Sequence, residues 1–390
     1  MKAPTSQATG APAELCRAIQ EEALRLGFLA SGITGPEAIT HRRPELERWL
    51  SQGHSGGLAY MERFFERQAE MLAGFPHTRS IIVLAAAYGP GPQPAAQDTG
   101  IPAGRVARYA QGRDYHRVLR KKVILLEGFI RARAGPKVRT LHCVDKGPLQ
   151  ERALAEAAGL GFIGKNTLLI RPGSGSFLFL SAVLTDLELA PDPPLTWDCG
   201  SCTLCLEACP TGALVAPYQL DAGLCIANLT IENRGPIPEK LRPQVGNWVF
   251  GCDICQEVCP YNRAKNPSRW EEFHPESGAG GDLPLASLLQ IREESAYTAR
   301  FTGTPLMRPG RPGLLRNAAV AAGNSGSPEL VPDLLQALQS DPDPSVRSHS
   351  AWALGKIGTS ATIHGLRETL SSEQDPAVLQ EIRQAIPKEP

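Results

Sequence analysis

A chain of 390 residues is long enough for two or three domains, and 42% apolar residues can fill their cores. Its 40 basic and 40 acidic side chains cancel, so overall charge does not mark it as a partner of polyanions. The N-terminal residues lack the apolar core of an export signal, no run is long enough to cross a bilayer, and ten cysteines fit a reducing cytoplasm better than a disulfide scaffold.

The first half alternates helix and strand. Residues 13–28 place Leu15, Ile19, Ala23 and Leu26 on one helical face, with Gly27 as the stop. SIIVLAAAY (80–88) reads as a buried strand. Residues 115–135 read as a helix striped by Leu119, Val123, Leu126 and Ile130 and ended by Gly135-Pro136. VRTLHCVD (138–145) is a strand, PLQERALAEAAG (148–159) a helix opening on Pro148, and GSFLFLSAVLTD (175–186) another strand. The order predicts an α/β domain over 1–195.

Residues 196–265 form a cysteine-rich segment, and 266–284 read as a polar connector. The tail, 285–390, repeats itself at a spacing of 32: DPSV (343–346) returns as DPAV (375–378), Gly323 and Gly326 as Gly355 and Gly358, Leu334 and Leu338 as Leu366 and Leu370. Helical pairs at that period stack into an α-solenoid of HEAT-like units, a form suited to docking rather than chemistry.

Eight of the ten cysteines fall between 199 and 259. Cys199, Cys202, Cys205 and Cys209-Pro210 follow C-x2-C-x2-C-x3-C-P, in which three thiolates bind one [4Fe–4S] cube and the fourth binds the cube of a second motif. That second motif, Cys252, Cys255 and Cys259-Pro260, is one cysteine short, and Cys225 is the only one left in the segment. The count closes with Cys199, Cys202, Cys205 and Cys259 on cluster 1 and Cys209, Cys225, Cys252 and Cys255 on cluster 2. Two zinc ions are the alternative use of eight cysteines, but a triple C-x2-C run with a trailing Cys-Pro is rare there. Cys16 and Cys143, outside the segment, read as buried inert thiols. Two cubes move single electrons, so an acceptor is needed, and no dinucleotide fingerprint supplies one: GSGS (173–176) lacks the strand–turn–helix context.

Between 101 and 140 the balance of charge breaks, with eleven Lys or Arg against two acidic residues. Arg113, Arg117 and Lys121 belong to this stretch and could follow a phosphate backbone; a solvated helix face is the plainer alternative.

VDKGPLQERALAEAAGLGFIGKNTLLI (144–170), CGSCTLCLEACPTGAL (199–214), CIANLTIENRG (225–235) and GCDICQEVCPYN (251–262) are similar to the epoxyqueuosine reductases, as are RYAQGRDYHRVLRKK (108–122) and the repeat tail. The resemblance covers nearly the whole chain. It implies an α/β, nitroreductase-like cobalamin-binding domain related to the reductive dehalogenases, a ferredoxin-like domain with two clusters, and a HEAT-like domain that docks tRNA. The implied reaction reduces the epoxide of epoxyqueuosine at the tRNA wobble position to queuosine, with electrons from a reduced flavodoxin or ferredoxin crossing the clusters to cobalamin. The family's aspartate in its V-D segment, Asp145 here, is the implied proton donor; such a donor needs burial or a nearby negative charge. Without the resemblance, Asp145 reads as a cap for the helix near Pro148. Arg67, Leu169, Ser176 and Leu180 fall where the family contacts the corrin. Arg316, Arg347 and Lys356 are implied phosphate contacts on the tail. His116 and His142 read as structural, and the protein as a cytoplasmic monomer. Two rival readings are a dehalogenase-like corrinoid enzyme acting on a small molecule and a non-catalytic two-cluster electron carrier.

Overall fold

The computed structural model describes residues 10–89, 100–263 and 266–387. Its first half is built on a four-stranded sheet in the order Ala30–Thr34, Ser80–Ala87, Leu178–Thr185, Thr140–Cys143, each strand antiparallel to its neighbour. Ser80–Ala87 is buried along its whole length because both faces of the sheet are covered. Ile82, Leu84 and Ala86 point into one core with Ile19 and Ala23 of the helix Gly10–Arg25 and with Leu119, Val123, Leu126 and Ile130 of the long helix Tyr115–Ala134. Ile81, Val83 and Ala85 point the other way, onto Leu154, Ala155 and Ala158 at the helix Glu151–Ala157. A period of two splits one apolar run between two cores. Cys16 and Cys143 are both buried.

The strand Ala30–Thr34 does not stand out in the sequence: ASGIT has few residues of high strand propensity, and its pairing with Ser80–Ala87 decides its conformation.

A three-stranded sheet joins segments far apart in sequence. Ala103–Val106 runs parallel to Trp248–Phe250 and antiparallel to Asp282–Pro284. The core behind it runs without a break from Val106 and Ala110 through Ile226, Leu229, Val249 and Phe250 to Leu314, Leu334, Val346 and Ile382 of the tail. The stretch 266–284 is therefore no free linker. Trp270 and Phe273 sit in the first-half core, the Trp270 ring 5.1 Å from Phe28 and its Nε1 donating to Leu26 O at 3.0 Å. Its polar composition conceals two buried aromatic anchors.

After the short helices Leu285–Leu289 and Glu294–Phe301, the repeats of the tail are carried by the helices Gly310–Ser325, Val331–Ser340, Pro344–Ile357, Ser360–Leu370 and Pro376–Ala385. Its repeated residues have repeated roles. Asp343 and Asp375 cap their helices, accepting from Ser345 N and from Ala377 N and Val378 N. Gly326 and Gly358 end theirs at φ 63° and 68°, in the left-handed region. Gly323 and Gly355 instead let helices touch: a Cβ on Gly355 would lie 2.6 Å from Ala385 Cβ.

Candidate active site and cofactor cradle

Asp145 lies in the bend after the strand Thr140–Cys143, and its φ of 52° is left-handed although it is not glycine. Three neighbours hold it. Tyr115 donates its hydroxyl to Asp145 Oδ2, and His116 Nε2 stands 3.4 Å from the same oxygen. The Asp145 amide donates to Glu151 Oε1 at 2.7 Å. Tyr115 and His116 open the long helix because Asp114 caps it, accepting from His116 N; the same carboxylate reaches His116 Nδ1 at 2.8 Å. Tyr115 is also stacked 4.4 Å from Phe179 of the central sheet.

The electrostatics follow from this packing. Burial works against a charged His116, but Asp114 and Asp145 outweigh it and raise the imidazole to about 9. Burial and the charge of Asp145 push the Glu151 carboxyl up to about 8. The Tyr60 hydroxyl is raised by burial and by Glu232 and Asp145, which puts residues from three segments in one charged neighbourhood. Glu232 is itself held by Arg308 through two contacts of 2.9 Å.

Asp145 does not cap the following helix: Gln150 is its N-cap residue. Nor is Asp145 buried, since 52% of its side chain is exposed. The Glu151 carboxyl stands beside it instead, its own titration raised by burial and by Asp145. His116, read as structural, touches Asp145, and Tyr115 carried no signal of its own. The D-Y-H run at the start of a helix, with Asp114 as cap, is the trace the pair leaves in the sequence.

The expected corrin contacts are scattered in kind. Leu169 is buried in the short hairpin of Phe162–Ile163 and Leu169–Ile170, and Leu180 is half-buried on the central sheet. Ser176 is buried with its hydroxyl donating to Gln256 Oε1 at 2.9 Å and its amide to Asn262 Oδ1 at 2.6 Å, so it ties the first half to the cysteine segment. Arg67 is exposed on the helix Phe64–Gly74, while the adjacent Gln68 is buried and donates to Pro148 O at 3.0 Å, beside the Asp145 bend. Two buried amide nitrogens on the strip that follows Asp145, Gln150 Nε2 and Asn166 Nδ2, have no partner among the described residues. Such donors suit a ligand rich in amide carbonyls, as cobalamin is.

The cysteines gather in two sets. The Cys205 thiol is raised by burial and by Cys199, Cys259 and Cys202, and Cys259 in turn feels Cys199 and Cys202. Burial, with Cys225 and Cys209 adding to it, pushes Cys252 up to about 12; Cys255 is raised by burial, Cys252 and Cys225. The short helices Leu204–Ala208 and Ile254–Glu257, which carry the two motifs, pack together.

Of the expected phosphate contacts, Arg113, Arg117, Lys121 and Lys356 are exposed. A cleft of about 520 Å³ lies beside the first of them, lined by Arg113, Lys122, Arg269 and Trp270 among others. Two expectations fail. Arg316 is 1% exposed and spends its guanidinium on Leu229 O, Asn233 O and Gly235 O, fixing the segment after Cys225 to the tail. Arg347 is clamped by both Glu373 oxygens, at 2.8 and 3.1 Å, and by Asp341 O. Neither guanidinium is free for a phosphate.

Two four-cysteine sets beside an acid on a sheet edge, with a helical-repeat tail, define an iron–sulfur oxidoreductase built to dock a large substrate. Family models match along the chain: one described as epoxyqueuosine reductase QueG over residues 69–146, a 4Fe-4S double cluster binding domain over 198–262, and HEAT repeats over 306–387. An epoxyqueuosine reductase of Pseudomonas aeruginosa is 41% identical, covering 87% of this chain and 93% of its own; that of Escherichia coli is 37% identical, covering 84% and 85%. A crystal structure of an epoxyqueuosine reductase with an epoxyqueuosine-modified tRNA-Tyr stem loop superposes with a TM-score of 0.86 at 35% identity, covering 96% of this chain and 98% of that one. A Bacillus subtilis structure with the same scores has its catalytic aspartate loop swung out of the active site. The chain belongs to the epoxyqueuosine reductase family. Its cofactors are two [4Fe–4S] clusters and cobalamin. Among the described residues, no helix is long and apolar enough to cross a membrane.

Proposed function

We propose that the chain removes the epoxide oxygen of epoxyqueuosine in the tRNA anticodon, with Asp145 as the acid. The observation that carries this is the Asp145 carboxyl, open to solvent on one side and held by Tyr115 and His116 on the other. Two electrons and two protons convert the epoxide into a carbon–carbon double bond and one water. Leu169, Ser176, Leu180 and the exposed Arg67 would hold cobalamin, which when bound would supply the reducing chemistry.

The chain's own groups manage the protons. Asp145 gives one to the departing oxygen, a role that half-exposure permits because the substrate must enter from that side. His116, protonated near neutrality, stands behind the same carboxylate oxygen and can restore its proton, while the Tyr115 phenol, held well above its usual range by burial and Asp145, keeps its own proton and orients the carboxylate. Cys199, Cys202, Cys205 and Cys259 would ligate one cluster; Cys209, Cys225, Cys252 and Cys255 the other. The electrons would come from a flavodoxin or ferredoxin in the cytoplasm, to an enzyme that works as a monomer. Arg113, Arg117, Lys121 and Lys356 remain as phosphate contacts, and the target base must leave its loop to reach Asp145.

The test is an anaerobic single turnover on tRNA carrying epoxyqueuosine, with the digested nucleosides weighed. The expected product has lost one oxygen, and Asp145→Asn slows its appearance by about 10²–10⁴-fold while the clusters remain. A wild-type rate in that variant removes Asp145 from its role. Survival of the epoxide on fully reduced wild-type protein would shift the substrate to a small molecule.

A further inference from the structure

Lys165 sits at the tip of the hairpin between Phe162–Ile163 and Leu169–Ile170, in a turn closed by Thr167 N to Gly164 O at 2.8 Å. Nearly all its polar groups are spent on the cysteine segment. Its amide donates to Cys199 Sγ at 3.4 Å. Its ammonium donates to Gly200 O at 2.7 Å and Cys202 O at 2.9 Å, and its carbonyl accepts from Tyr218 N at 3.0 Å. No carboxylate pairs with this ammonium among the described residues.

We infer that Lys165 sets the reduction potential of the cluster held by Cys199, Cys202, Cys205 and Cys259, as well as seating that cluster's loop on the catalytic half. The inference rests on the ligand set proposed above. Reduction adds one electron, and so one negative charge, to the cube and its four thiolates. An ammonium with no other counter-charge and an N–H directed at a ligand sulfur both favour the more negative state, and net charge and sulfur hydrogen bonds are what tune such clusters. Lys165 thereby makes this cluster easier to reduce than it would be beside an uncharged residue. Two further neighbours, Asp198 and Tyr261, adjoin the loop; Asp198 Oδ1 accepts from Gly200 N at 2.6 Å, and Tyr261 donates to Asp198 O. The Asp198 carboxylate opposes the effect of the ammonium rather than supplying it.

Reconstituted wild type, Lys165→Met and Lys165→Gln are compared by anaerobic redox titration, following the paramagnetic signals of the reduced clusters and counting iron and sulfide. The expected result is that one cluster of Lys165→Met loses at least about tenfold in its one-electron equilibrium, 59 mV downward, while the other stays put. If Lys165→Met sheds that cluster, Lys165→Gln decides, because its amide can still donate to the carbonyls but brings no charge. Unchanged potentials in a fully loaded variant overturn the inference and leave Lys165 a staple. Failure of the ligand assignment would look different, since the wild type itself would then lack two cubane signals.

Discussion

Asp145 keeps a left-handed backbone at a cost of about 1–2 kcal/mol for a residue with a Cβ. Its amide bond to Glu151 and its carboxyl contacts with Tyr115 and His116 offset that cost. The two titrating neighbours both make stability fall as pH rises, in different windows. His116, raised to about 9 in the fold against 6.5 when free, stabilises fully below pH 6.5, and that contribution is lost as pH rises through about 9. Glu151, at about 8 against 4.5, binds its proton more tightly folded than unfolded, so stability falls as pH rises from about 4.5 to 8. Urea midpoints of the wild type, His116→Gln and Glu151→Gln at pH 5, 7 and 9.5 check both signs. The deficit of His116→Gln is expected to shrink towards pH 9.5, and Glu151→Gln is expected to gain on the wild type between pH 5 and pH 7. A pH-independent difference for either variant would mean its contacts act through packing alone.

What could be read at this scale depended on how far apart the partners lie. The cysteine sets were legible because ligand spacing is local, with a single distant residue, Cys225, completing the count. Asp145 was legible only through a motif. Tyr115 and His116 were not, because a helix start and a strand end 30 residues later must be brought together before either means anything. Arg67 and Gln68 are neighbours, and only helix phase decides that Arg67 faces solvent while Gln68 turns inward to Pro148 O.

At the scale of elements, sequence periodicity was reliable where an element's own pattern decides its structure, as in the apolar stripe of Tyr115–Ala134 and the 32-residue repeat of the tail. It failed where pairing decides, in the strand Ala30–Thr34, and where two aromatics anchor a polar stretch, in 266–284. The repeat also separates two uses of glycine that look alike in sequence. Asp375→Ala removes a cap and is expected to cost about 1 kcal/mol. Gly355→Val puts a side chain where Ala385 already stands and is expected to cost about 1–3 kcal/mol by pushing the last helix away. Thermal unfolding of the two variants ranks them, and equal losses would mean the final helix repacks freely.

Across the whole molecule, zero net charge hides a division of labour among its arginines. Those that face inward are structural: Arg316 of the tail binds three carbonyls of the segment after Cys225, Arg242 of the cysteine-rich segment pairs with Glu381 of the tail, and Arg311 pairs with Asp341 inside the tail. Arg316 and Arg242 thereby hold the cysteine segment against the repeats. Arg117 and Lys121, four residues apart on the open face of the long helix, have no such task. Each charge that neutralises a phosphate releases a counterion, so its loss flattens the dependence of log K on log salt by about 0.7–0.9. Arg117→Gln and Lys121→Gln are therefore each expected to weaken binding of an anticodon stem loop and to reduce the salt slope by nearly one, with unfolding unchanged. Arg347→Gln, whose side chain is committed to Glu373, is expected to leave the slope intact and lower stability. Fluorescence anisotropy of a labelled stem loop across 50–300 mM salt, taken with a melting curve for each variant, separates the two classes. If Arg347→Gln flattened the slope as much as Lys121→Gln, the ion pair with Glu373 would open on binding and the tail would be a direct phosphate reader; if neither helix variant flattened it, the RNA path would run elsewhere on the surface.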